Sequence, residues 1–102
     1  MKLKWVEGTG PDTTQELADE IEVEGRLGHG HVSYLGERCL WGVIGDWPLS
    51  YSPETFCARR FLSPDSAQAL VEFGLGVFAN VSFEGTPEER CAEMTRRLRA
   101  IP

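Results

Sequence analysis

Apolar positions recur at helical spacing in three stretches of this chain. The last stretch carries the fullest set of signals. Thr86 suits a helix N-cap, Pro87 the first helical position, and Glu89 completes a capping box. Cys91, Met94, Leu98 and Ile101 then share one face, which predicts a helix over about 86–100. A second capping box, Thr13 and Glu16, precedes a stripe of Leu17, Ala18 and Ile21, with Gly25 as a stop. That pattern predicts a helix over about 13–25. Its acids Glu20, Glu22 and Glu24 crowd the last turn and oppose the helix dipole, so this helix leans on packing rather than on its own propensity. Ser63-Pro64-Asp65 opens the third stretch, over about 64–79. Ala67, Leu70, Val71, Gly74, Leu75, Val77 and Phe78 give it a wide apolar stripe, the mark of a central, deeply buried helix. Gly74 and Gly76 inside it serve close packing or end the helix early.

The segments between these helices are shorter in pattern. Leu3 and Trp5 alternate with lysines, so residues 2–6 read as a short strand or extended lead. Gly8-Thr9-Gly10-Pro11 is a break. Residues 26–36 are punctuated by Gly28, Gly30 and Gly36 and read as a loop, with or without a short strand at 31–35. Residues 38–45, with Cys39-Leu40-Trp41-Gly42-Val43-Ile44, form an apolar run that is a buried helix of two turns or a buried strand; periodicity does not separate the two. Residues 46–62 hold Pro48 and Pro53 among several aromatics and read as a long packed loop. Val81-Ser82-Phe83 is a turn or a short strand. The prediction is one α-rich domain over residues 1–102, with three main helices. It becomes α+β if the short strands pair into a minor sheet.

Composition narrows the function. The chain has 102 residues, 41% hydrophobic and 25% charged, which is the composition of a folded domain with one core. Its formal net charge of −6 argues against direct nucleic-acid binding, which rests on Lys and Arg neutralising phosphates. No apolar run approaches a membrane span, and no cationic and then apolar leader opens the sequence. Three widely spaced cysteines, Cys39, Cys57 and Cys91, fit thiols in a reducing cytosol.

Cys39-Leu40-Trp41-Gly42-Val43-Ile44 and Gly85-Thr86-Pro87-Glu88-Glu89-Arg90 together give the chain a resemblance. It resembles a family of small uncharacterised bacterial and phage proteins, grouped as a domain of unknown function. These carry an amphipathic N-terminal helix, a glycine-rich stretch and a Cys-Leu-x-Gly-Ala-Ile core segment. An asparagine-aspartate turn follows, and then a glycine, a threonine and paired glutamates open a final helix. Asn80 matches the turn asparagine, Val81 stands where the family has aspartate, and residues 46–62 have no counterpart. The resemblance covers the outer two-thirds of the chain. It implies an α-rich fold and transfers no activity, cofactor or catalytic residue.

Three sets of residues carry candidate chemistry. His29-Gly30-His31 with Cys39, and Asp46 as a fourth ligand, is a metal-site candidate, although zinc sites show denser ligand spacing and a solvated loop is the plainer reading. The same residues offer a thiol nucleophile, Cys39, with His29 or His31 as base and Glu37 or Asp46 orienting it. Cys39 is set among apolar residues, which favours a core position. Cys57, beside Arg59-Arg60, is the thiol placed for reactivity, because adjacent cations lower a thiol pKa. The third set is Trp47, Tyr51, Phe56, Arg59 and Arg60, an interface-like mixture of aromatics and arginine. Gly74-Leu75-Gly76-Val77-Phe78-Ala79 matches a dinucleotide-loop skeleton but sits in a helix pattern instead of after a strand.

The sequence reading is therefore a non-enzymatic protein-interaction module, such as a phage-type inhibitor or accessory protein. It needs no cofactor, works in the cytoplasm, binds another protein and leaves room for a homodimer. A small metal- or thiol-dependent enzyme is the first alternative. An acidic DNA mimic using residues 12–24 is the second. The arginines of the final helix, Arg90, Arg96, Arg97 and Arg99, complement that acidic helix within the fold or across a dimer.

Overall fold

A computed structural model describes residues 1–6, 10–28, 39–45, 62–75 and 84–102, except the side chain of Trp41. Among them are four helices and no strand: α1 (Thr14–Glu24), α2 (Leu40–Gly45), α3 (Pro64–Glu72) and α4 (Pro87–Arg99). The Cα radius of gyration is 12.7 Å, close to the ~13 Å of a folded domain of this length. The protein is a small α-rich single domain.

The predicted N-caps of α1 and α4 operate, as does the glycine stop of α1. Thr86 Oγ1 accepts from the Glu89 N–H at 3.1 Å, and Glu89 Oε1 accepts from the Thr86 N–H at 3.0 Å. That reciprocal pair holds Glu89 below its ordinary pKa, chiefly through the Thr86 backbone N–H. Thr13 caps α1 in the same way, accepting from the Glu16 N–H at 3.1 Å. Glu16 reaches one residue further back than a capping box requires, to the Asp12 N–H at 2.6 Å. Gly25, at φ 72°, ends α1 and donates its N–H to the Ile21 carbonyl. Replacing Thr86 by alanine removes an N-cap acceptor, and the expected loss is about 1 kcal/mol in chemical denaturation. Glu89→Gln, which keeps an acceptor, is expected to lose less.

The core centres on α1 against α4. Leu17, Ala18 and Ile21 of α1 and Met94 and Leu98 of α4 are fully buried, with Cys91 and Ile101 nearly so. Leu40, Val43 and Ile44 of α2 join the same cluster, and of the two readings of this apolar run the helix is the one observed, over Leu40–Gly45.

The third helix differs from its prediction. It stops at Glu72 instead of 79, and it is not the most buried of the described helices. Only Ser66 and Leu70 are buried on it, while Val71 is 47% and Phe73 49% exposed. The cause lies in Phe73-Gly74-Leu75. Gly74 takes φ +81°, which an L side chain adopts only with strain. The Leu75 N–H then bonds the Leu70 carbonyl and the Gly74 N–H bonds the Val71 carbonyl. This is a Schellman ending, with the usual apolar contact made by Leu70 and Leu75, both fully buried. Of the two roles open to Gly74, ending the helix is the one it performs. Gly76, Val77 and Phe78 lie outside the described residues.

Residues 2–6 form no strand. Their backbone groups are divided between two elements, so no ladder develops. The Leu3 N–H bonds the Asp12 carbonyl and the Met1 carbonyl accepts from Thr14, while the Lys4 carbonyl accepts from Ser63. The Lys4 N–H donates to Ser66 Oγ at 2.9 Å. Only isolated bridges result, Lys2 with Thr13 and Trp5 with Leu62. The lead thus ties the start of α1 to the start of α3. Trp5 lies flat over Gly10, where any Cβ would fall inside the indole, and its Nε1 donates to the Pro11 carbonyl. The proposed strands at 31–35 and 81–83 lie outside the described residues.

Candidate functional site

By its charge, Arg90 is predicted on the basic surface of the final helix. It is instead 2% exposed, among the largest fully buried side chains. The register explains this: Arg90 stands four residues before Met94 and eight before Leu98, on the apolar stripe itself. Its Nη2 donates to the Gly28 carbonyl at 3.1 Å. One turn earlier, the Pro87 carbonyl accepts from the Leu27 N–H at 2.9 Å. The first turn of α4 therefore holds residues 27 and 28, immediately before His29.

The electrostatics around Arg90 are those of a buried cation. Burial lowers its pKa, and the nearby Cys39 opposes that shift. A guanidinium keeps its proton even so. Cys39 is itself buried, 5% exposed, directly ahead of α2, and its carbonyl accepts from the Val43 N–H.

The other candidate residues are placed unevenly. Trp47, Tyr51, Phe56, Arg59 and Arg60 lie outside the described residues, as do His29, His31, Glu37, Asp46 and Cys57. Among the described residues no group of three His, Cys, Asp or Glu could hold a metal ion. Gly74 belongs to the turn after α3 and follows no strand, which removes the context a dinucleotide loop needs. Cys91 is a core thiol: burial pushes its pKa up, and Sγ donates to the Ile21 carbonyl at 3.5 Å. Cys39 and Cys91 are both free thiols.

The segregated charges meet inside the fold. Arg99 Nη2 sits 2.6 Å from Asp19 Oδ1 and 2.6 Å from Glu22 Oε2, joining α4 to the acidic α1. Arg96 and Arg97 both bond Glu93, at 2.6 Å and 2.9 Å. These hydrogen bonds, Arg96 first and then Arg97, hold the Glu93 carboxyl at a pKa of about 2. A folded-state pKa below the ordinary 4.5 means that the contribution of Glu93 is complete above pH ~4.5 and is lost as pH falls toward 2. Thermal melts of Glu93→Gln are accordingly expected to fall less steeply across that window than melts of the wild-type chain.

A shallow groove of about 440 Å³ runs between the end of α1 and α4. Glu22, Glu88, Cys91, Ala92, Thr95 and Arg96 are among the residues that line it, with Arg99. No helix among the described residues is long and apolar enough to cross a membrane. No family model matches the sequence, and neither the curated proteins nor the solved structures provide a match. The resemblance given above rests on its quoted residues alone.

Proposed function

We propose that this protein acts by binding another protein, through the aromatic and arginine side chains of residues 47–60, in a cytoplasmic setting. The observation that carries this reading is where that segment is attached. Val43 and Ile44 before it and Leu62 after it are all core residues, and Leu62 also bridges to Trp5. The residues on either side of a segment rich in Trp, Tyr, Phe and Arg thus belong to one core, and anchored ends lower the ordering cost of an interface. The α3 helix that follows adds Val71 and Phe73, each about half exposed. Free thiols at Cys39 and Cys91 fit a reducing compartment.

The test is crosslinked capture by the purified protein, compared with a variant carrying Trp47→Ala, Tyr51→Ala and Arg60→Ala. The variant is expected to lose the captured partner while keeping the wild-type circular dichroism and melting temperature. Undiminished capture sinks this placement of the interface.

The metal- or thiol-dependent alternative draws support from one observation, the tie of Gly28, the residue before His29, to the buried Arg90 guanidinium. Elemental analysis of the purified protein decides its metal form. Less than a stoichiometric amount of any transition metal, after purification without chelators, ends it. The DNA-mimic alternative has less to draw on, because Asp19 and Glu22 are already engaged by Arg99.

A further inference from the structure

The outer stripe of α4 is antisymmetric in charge. Glu88, Ala92, Arg96 and Arg99 are exposed at helical spacing, with Thr95 half-buried beside them. Glu88 stands four residues before Ala92 and Arg96 four residues after it. The middle of the stripe is small and uncharged, and it lines the groove between α4 and the end of α1.

We propose that a second copy of this chain docks on that groove, with the two α4 helices antiparallel about a two-fold axis at Ala92. Such an interface is self-complementary, since each patch meets its own copy reversed. In this register Glu88 faces Arg96 of the second copy, and Arg96 faces its Glu88. Ala92 meets Ala92, which lets the helices approach closely. This pairing is independent of the reading above, because it uses α4 and a second copy instead of residues 47–60 and a foreign partner.

The charges of the stripe retain capacity for this. Among the described residues, Arg99 bonds Asp19 and Glu22 through Nη2, and Glu88 pairs through Oε1 with Arg26 at 3.2 Å. Arg96 bonds Glu93 through Nε at 3.0 Å and Nη2 at 2.6 Å on the exposed side of α4, and its fork has a further nitrogen, Nη1, to offer the second copy. Size sets the strength. A helix of 13 residues is about 20 Å long, so one helix pair with its groove falls at or below the smallest specific interfaces. The dimer is accordingly weak, in the high-micromolar range, and salt-sensitive.

Sedimentation equilibrium of the full chain from about 10 µM to 1 mM reads this directly. At low salt the mass is expected to rise toward that of a dimer. Raising the salt from about 50 to 500 mM should weaken association roughly tenfold. Glu88→Arg alone and Arg96→Glu alone should each abolish association, and the two together should restore it, because only the reciprocal exchange rebuilds both cross-pairs. Ala92→Arg, at an exposed position, places two like charges on the axis and should leave a monomer with wild-type circular dichroism. A wild-type chain that stays monomeric throughout overturns the proposal. So does a dimer indifferent to Ala92→Arg, or a folded double variant that fails to reassociate. Should a swapped variant fail to fold, Ala92→Arg decides alone.

Discussion

Arg90→Ala is expected to destabilise the fold by about 3–5 kcal/mol, a large fraction of a typical domain's stability. Arg90 is 2% exposed and donates to the Gly28 carbonyl from within the core. Alanine removes the volume of a long side chain and leaves that carbonyl without its arginine. Two further variants separate the causes. Arg90→Met keeps most of the volume and removes the charge, so it isolates the polar contribution. Arg90→Lys keeps the charge but loses the planar fork, and a lysine ammonium does not reproduce a guanidinium's several fixed donors. Urea denaturation of the three variants checks the order: alanine lowest, with methionine and lysine between it and the wild type. A methionine variant as stable as the wild type would show that Arg90 serves the fold by packing alone. Arg90→Ala losing less than about 1 kcal/mol would contradict a buried, structural guanidinium altogether.

Leu17→Ala is expected to cost about 2–5 kcal/mol. Leu17 is fully buried on α1 and belongs to the cluster shared with Met94 and Leu98. Truncating it loses the transfer free energy of the missing methylenes and opens a cavity that tightly packed helices fill only in part. Leu17→Met, which nearly conserves volume, is expected to cost less than about 1.5 kcal/mol. A matching change to Val23 is a control, since Val23 lies on the same helix and is 88% exposed. Val23→Ala should leave the denaturation midpoint almost unchanged. Comparable losses at Leu17 and Val23 would mean that α1 does not bury the face described above.

Much of the frame was legible because short-range chemistry specified it. Thr86 with Glu89, Thr13, Ser63 and Gly25 act through neighbours three or four residues away, and each does what its local sequence implies. The stripes of α1 and α4 follow from spacing alone. The failures came where a local signal was read in the wrong sense or where the partner is distant. Phe73-Gly74-Leu75 continues a helical apolar pattern, so the stripe carries the predicted helix to 79, past the early stop that Gly74 also offers. The lead at 2–6 alternates like a strand, yet its backbone bonds go to residues 12–14 and 63–66, which no alternation reveals. Arg90 was assigned to the surface by its charge, while its register with Met94 and Leu98 placed it inside. For the candidate site, Cys39 as a core residue was legible from its apolar neighbours. The tie between Arg90 and Gly28 was not, because it joins residues 62 positions apart.

The pairing of α1 with α4 has a consequence in time. The partner that covers Leu17, Ala18 and Ile21 begins about sixty residues after α1 ends. At a synthesis rate of roughly 5–20 residues per second, α1 waits several seconds for it. A helix forms in about a microsecond or less. Throughout that wait the nascent chain carries an apolar stripe on a helix whose acidic last turn disfavours it in isolation. The acids Asp19 and Glu22, later matched by Arg99, meanwhile keep that waiting segment charged and hydrated. The ion pairs of the finished fold are, during synthesis, a solubilising face with no counterpart yet made.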